Sequence, residues 1–319
     1  MAYKFQADES VREEIVRCAG EQLDRAIAEL TEGINADPVK SVHNARKAIK
    51  KERSLLRLAR GAMTSPQRRA ENDALRSAAR RLSATRDAEV MVASIDALAE
   101  RFAGQLPATT FEAVGEQVRS RGVSTDAGPN GSVMDTAEEL RAIRERVDDW
   151  ELEADGWPAI ESGLLRSYKR GKKAFASARV SRTPENLHAW RKRVKDLWYH
   201  ERLLAPACGP TVDGQAKDAH RLADLLGDDH DLAILREELA GGLMPVPVDV
   251  DAVVKLLDHR RDELQGEALR LGDRVYSETP KAFARRMNRL WAAGRAMAEE
   301  PVEHHPTAVA AATREPQAA

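Results

Sequence analysis

The chain has 319 residues, 42% hydrophobic, 4% aromatic and 32% charged, with a net charge of −2 and a pI near 6.5. Its dominant Ala, Arg, Leu and Glu favour helices and argue against a sheet, which would draw on β-branched and aromatic residues. Two cysteines, Cys18 and Cys208, are too few for a disulfide framework, no run of eighteen apolar residues offers a membrane span, and the opening MAYKFQADESVREEI lacks an apolar export core. A soluble cytoplasmic protein with no membrane partner is expected.

The pattern along the chain predicts an all-α fold. After Tyr3 and Phe5, Ser10 caps a helix to about residue 30, with Ile15, Cys18, Ala19, Leu23, Ala26, Ile27 and Leu30 at helical spacing. Asn35-Ala36-Asp37-Pro38 breaks it, and a strongly cationic helix runs from there to near Gly61. Ser65-Pro66 opens a helix to about residue 82, Ser83 or Thr85 reopens one through Arg86, Asp87, Val90, Ile95 and Leu98, and another covers 109–120. Residues 122–132 (GVSTDAGPNGS) read as a surface loop, and helix resumes over 135–152.

Gly156-Trp157-Pro158 divides the chain into halves, 1–157 and 158–300, with a disordered tail at 301–319. In the second half a helix over 159–178 carries Tyr168, Lys169, Arg170, Lys172 and Lys173. Ser181-Arg182-Thr183-Pro184 is the break before a second cationic helix, 206–214 reads as a loop, and a helix follows through His220 to Leu226. A Pro/Val segment at 244–248, a helix through Leu256, Leu257 and Leu264, and a last helix over 280–299 complete the half.

The two cationic helices are copies of one pattern. VHNARKAIKKERSLLRL (42–58) aligns with LHAWRKRVKDLWYHERL (187–203), setting His43 on His188, Arg46 on Arg191, Lys47 on Lys192, Lys50 on Lys195 and Arg57 on Arg202. LSATRDAEVM is answered by LGDDHDLAIL at nearly the same offset, so that His230 stands where Arg86 does and Asp231 where Asp87 does. On a helix, His43, Arg46, Lys50 and Arg57 share one face while Ala45, Ala48, Ile49 and Leu55 point to a core. An array of Arg and Lys one turn apart suits a linear polyanion: Arg offers forked donors to phosphate oxygens and Lys a mobile point charge.

Nucleic acid is disfavoured, because single-strand readout uses stacking aromatics, whereas Trp190 and Trp198 sit at core positions and only Tyr168 and Tyr199 could serve. The histidines donate to a phosphate oxygen or lock each helix to its mate. A divalent-metal site from His43, His188, His220, His230 and Asp231 is the alternative, without supporting spacing. Asp87 and Asp231 are read as helix caps or Arg partners, and no catalytic motif stands out.

Both copies of (V/L)HxxRKxxKxxxxxxR, each followed by Arg86-Asp87 or His230-Asp231, together with the MAYKFQADESV opening, YKRGKK and Tyr199-His200-Glu201, resemble the CHAD family, the conserved histidine α-helical domain, over about residues 3–300. The resemblance implies two tandem helical bundles related by a pseudo-twofold axis, with basic surfaces meeting near their junction. It also implies non-catalytic binding of inorganic polyphosphate, targeting to polyphosphate granules, and no cofactor. Carried onto this sequence, the contacts are His43, Arg46, Lys50, Arg53 and Arg57, then His188, Arg191, Lys192, Lys195 and Arg202. Lys47, Arg86, Lys169, Arg170, Lys172, Lys173 and His230 extend the set. Asp196, Leu197 and Trp198 replace Lys51, Glu52 and Arg53 in the second copy, so its stripe is shorter. With no acidic ExExK start, the chain reads as a stand-alone domain without a CYTH partner. A metal-dependent phosphohydrolase and a scaffold for an acidic protein are the competing functions, and homo-oligomerisation stays open.

Overall fold

The computed structural model describes residues 3–6, 9–82, 87–123, 130–240 and 250–299. They form an all-α protein with no strand among the described residues; only isolated bridges occur, such as Met63 with Leu152. The first half supplies α1 (Val11–Thr31), α2 (Pro38–Leu58), α3 (Ser65–Arg81), α4 (Asp87–Arg101), α5 (Ala108–Val123) and α6 (Asn130–Val147). The second supplies α7 (Gly156–Val180), α8 (Pro184–Cys208), α9 (Pro210–Ala240), α10 (Val250–Val275) and α11 (Pro280–Glu299).

Local chemistry explains the starts. Ser10 and Glu13 form a capping box on α1, while Asp37 and Thr183 accept from the amides of Lys40 and Asn186, each followed by a proline whose missing N–H costs nothing at that position. Buried positions of α1 and α7 keep step at an offset of 145 residues: Ile15, Cys18, Leu23, Ala26 and Leu30 against Ile160, Gly163, Tyr168, Gly171 and Phe175.

Helix pairing runs α1 with α2, α6 against α1 and α3, then α7 with α8, α8 with α9, α9 with α10, and α11 across α7 and α8. Among the described residues two hydrophobic clusters result, and both draw on the two halves. The larger joins α1, α2, α3 and α6 to α7, α8, the front of α9 and α11. The smaller packs Ile95 and Leu98 of α4 and Phe111 and Val114 of α5 onto Leu232 and Leu235 of α9 and Val253 and Leu257 of α10. At the junction α7 lies directly on the end of α2. A Cβ on Gly163 would come 2.2 Å from the Leu58 carbonyl oxygen, and one on Gly61 would come 2.1 Å from that of Pro158. The N-terminal segment clamps the same place: the Phe5 amide donates to Leu203 (3.0 Å), and the Tyr3 hydroxyl to the Lys51 carbonyl (2.8 Å).

Several expected boundaries shift. Thr64, not Ser65, caps α3. Helix continues into both ends of the expected 122–132 loop, as the last residues of α5 and the first of α6. The expected 206–214 loop shrinks to Gly209 at φ +81, because α8 runs through Pro206 to Cys208 and Pro210 starts the next helix. Most consequentially, α9 does not break at LGDDHD. Leu222, Ala223, Leu226, Gly227, Asp229, Leu232 and Ala233 are buried on successive turns, so Asp231 lies mid-helix and caps nothing. Asp87 is the first residue of α4. The reopening at 83–86, Arg86 included, the 244–248 segment and the 301–319 tail lie outside the described residues.

Candidate anion-binding site

α2 buries Val42, Ala45, Ala48, Ile49, Leu55 and Leu56 and turns its other cations away from them, while Lys51 is buried with them. Lys47 and Lys50 are exposed; His43, Arg46, Arg53 and Arg57 are half-buried along the same helix. The Arg53 guanidinium donates to the Asn72 side chain on α3 (3.2 Å). Arg57 donates to the Arg53 carbonyl (2.8 Å) and lies 3.3 Å from one carboxylate oxygen of Asp196 on α8, whose other oxygen accepts from Arg193 at 3.0 Å. One acid, contributed by the second copy of the repeat, therefore serves two arginines.

Around that triad the arginines outnumber the acids. Burial, then Arg57 and Arg76, bring the Arg53 guanidinium down to about 10, against a weaker pull from Asp196 and Asp73. Burial and the neighbouring Arg60, Arg69, Arg166 and Arg57 lower Arg68, whose Nε is buried with no partner among the described residues. Arg193 is lowered by burial and by Arg170 and Arg57, with Asp196 opposing. Cations from α2, α3, α7 and α8 thus converge on one region, and burial first, then the neighbouring guanidiniums, lowers Arg53, Arg68 and Arg193 there.

The α8 stripe is built differently. The His188 ring lies on the ring of His230 from α9, centroids 4.3 Å apart. Burial, then Lys192, His230 and Arg191, push His188 down to about 4, and burial and Arg191 lower His230. Arg191 lies against Gly227, where any Cβ would come within 2.9 Å of its guanidinium. The Nδ1 of His188 and the Nε of Arg191 are buried without a partner among the described residues. Lys192 is exposed and Lys195 half-buried. Trp198, stacked on His220 at 4.0 Å, then interrupts the stripe, and the half-buried Arg202 ends it beside Lys51.

On α7, Lys169, Arg170 and Lys173 are exposed. Lys172 is not part of this surface: its ammonium donates to the carbonyls of Tyr276 (2.7 Å) and Glu278 (2.6 Å), closing the C-terminal end of α10. Neither tyrosine considered as a stacking platform is available. Tyr168 is buried against Phe283, and Tyr199 against Tyr3 and Trp198. His188 engages His230 of α9, and among the described residues no three His, Cys, Asp or Glu side chains are placed to hold a metal ion.

Sequence reasoning missed Arg68, Arg69 and Arg76. Their signal was present in SPQRRAENDALRSAARR, a helix rich in arginine, but its relevance depends on α3 lying alongside α2, which no local pattern states.

An uncharacterized protein MT2285 and an uncharacterized protein Rv2226, both of Mycobacterium tuberculosis, are each 28% identical to this chain over 240 residues, covering 70% of it and 44% of each relative. The chain thus spans less than half the length of these relatives. Among solved structures, PptA from Streptomyces chartreusis is 14% identical, with a TM-score of 0.49, covering 81% of this chain and 99% of that one. The CHAD domain model matches residues 17–240, a span that contains both cationic helices, the arginine cluster and the His188–His230 pair, and the chain therefore belongs to the CHAD domain family.

Proposed function

We propose that this protein binds inorganic polyphosphate without catalysis, and that the binding brings it to polyphosphate granules. The observation that carries the reading is the arginine cluster at the meeting of α2, α3, α7 and α8, where the Arg57 charge acts on Arg53, Arg68 and Arg193 and Asp196 is the acid that Arg57 and Arg193 share. A flexible chain with a negative charge on every unit would turn that repulsion into attraction. Arg68 has an unused buried donor for it, and the exposed Lys47, Lys50, Lys169 and Lys173 extend the field outward. The burial of Trp190, Trp198, Tyr168 and Tyr199 leaves this surface without base-stacking rings, which favours a base-free polyanion over nucleic acid. Cations around His188 and His230 make that pair a poor seat for a divalent metal.

Calorimetry with long-chain polyphosphate, with and without EDTA and across a salt series, tests the reading. Binding is expected to ignore the chelator and to weaken by about a thousandfold between 50 and 200 mM salt if some six phosphates are contacted. Arg68→Gln with Arg76→Gln is expected to cost roughly tenfold or more. Unaltered binding in that double variant, a need for a divalent ion, or release of phosphate over time would overturn it.

A further inference from the structure

A cleft of about 620 Å³ opens where α4 meets α9 and α10. Its floor is Leu98 of α4, Leu232 of α9 and Leu264 of α10, all three buried and all three members of the smaller hydrophobic cluster. The size falls within the roughly 300–1,000 Å³ of small-molecule sites, and an apolar floor under a few placed polar groups is their usual make-up.

The rim is acidic on balance. Asp228 and Asp231 stand three residues apart on α9, so their Cβ atoms are about 5–6 Å from each other by helix geometry. Glu100 joins them from α4. The two cations of the rim are engaged by an acid beside it: Arg101 and Arg260 lie 2.8 and 2.9 Å from the two carboxylate oxygens of Glu263. Neighbouring acids of α9 are engaged as well, Asp224 at 3.5 Å from the His220 ring and Asp229 at 3.1 Å from Arg261. Asp228 and Asp231 are in no ion pair among the described residues. Asp228 is exposed as a residue, yet its carboxyl is held above the ordinary value, by desolvation first and then by Asp224 and Asp231, with Arg260 and Arg191 opposing.

A ligand matching this lining carries spaced positive charges with methylenes between them. We propose that the cleft between α4, α9 and α10 binds a linear aliphatic polyamine, with its ammonium groups on Asp228, Asp231 and Glu100 and its methylenes on Leu98, Leu232 and Leu264. A simple metal ion would leave the leucine floor unused, and an anion would meet the carboxylates of Asp228 and Asp231. Ammonium–carboxylate hydrogen bonds beside an apolar floor are stronger than the same contacts on open surface. The cleft is opposite in sign to the arginine cluster and draws on α4 and α10, which that cluster does not use. Its test involves no polyphosphate, so it stands or falls apart from the polyanion reading.

The test is calorimetry of the full chain with the triamine spermidine at neutral pH and about 150 mM salt, where charges more than a Debye length apart are screened. Asp228→Asn and Asp231→Asn are each expected to weaken binding about tenfold, the loss of one charge-assisted contact. Asp224→Asn, one turn from Asp228 but outside the cleft, is expected to leave it within twofold. Ala97→Phe, which fills the cleft from an exposed position of α4 without changing charge, is expected to abolish binding with an unchanged urea midpoint. The monoamine 1-aminobutane is expected to bind at least tenfold more weakly than spermidine. Absence of binding at millimolar spermidine, binding that survives Asp228→Asn with Asp231→Asn or Ala97→Phe, an equal loss in Asp224→Asn, or full displacement by an equal concentration of magnesium would overturn the proposal.

Discussion

The ring of His200 on α8 hydrogen-bonds through Nε2 to the carbonyl of Ser54 on α2 at 2.9 Å, in the fully buried crossing of the two repeated helices. A carbonyl can only accept, so Nε2 carries a proton, and the lowered pKa leaves the ring neutral near pH 7. Burial pushes its pKa from 6.5 down to about 4, with Asp196 and the hydrogen bond itself opposing. The folded pKa lies below the unfolded one, so the neutral ring's contribution is present above pH 6.5 and is lost as pH falls through about 4. His200→Gln, which can keep a donor toward Ser54, is expected to flatten the acid limb of a urea-unfolding series. His200→Leu is expected to cost about 1 kcal/mol more than His200→Gln at neutral pH.

Glu52 has the opposite sign. It is fully buried, neither carboxyl oxygen has a partner among the described residues, and burial, then Glu71, pushes it from 4.5 up to about 8. Its stabilising share is complete below pH 4.5 and disappears as pH rises through about 8. Glu52→Met is expected to be more stable than the parent by about 1–3 kcal/mol at pH 9 and to show a shallower decline from pH 6. Equilibrium unfolding at several pH values reads this directly. Glu201, also pushed up to about 8 by burial, keeps some slope in that variant.

Asp196 sets stability against anion affinity. Replacing it by Ala strands Arg57 and Arg193, and the unliganded protein is expected to lose about 3 kcal/mol, as when one partner of a largely buried pair is removed. The same change takes a negative charge out of the cluster. Thermal shift with polyphosphate is expected to be larger in Asp196→Ala than in the parent, and affinity to rise a few-fold. A smaller shift would contradict the placement of the polyanion beside Arg57.

Gly163 measures how closely the halves must approach. An added Cβ would stand 2.2 Å from the Leu58 oxygen, so Gly163→Ala has only backbone to push against. A loss of about 3 kcal/mol is expected in chemical denaturation, since overpacking against a helix end cannot be relieved by turning a side chain. Gly214→Ala, inside α9 with nothing within 4 Å, is the control and is expected to stabilise by up to about 1 kcal/mol.

Much of this was legible because it is local. The prolines at 38 and 184 with their preceding caps, the period of Ile15 to Leu30, and the bounds of α11 follow from spacing and capping chemistry alone. The cationic faces of α2 and α8 could be read for the same reason. What could not be read depends on which surfaces meet. LGDDHD carries every local sign of a turn, yet it stays helical because α8 and α10 cover α9 on both sides of it. Lys172 has the same local context as Lys169 and Lys173 and differs only in facing the end of α10. Asp196 was visible as a departure from the repeat, but its two arginine partners, one 139 residues away, were not.

The docking of α4 and α5 onto α9 and α10 also constrains how the molecule is made. During synthesis at about 5–20 residues per second, Phe111 and Val114 emerge many seconds before Leu235 and Val253 exist to receive them. A nascent chain halted near Trp157 would carry that apolar hairpin surface bare, which makes this pair of helices the natural point of engagement for a chaperone at the ribosome exit.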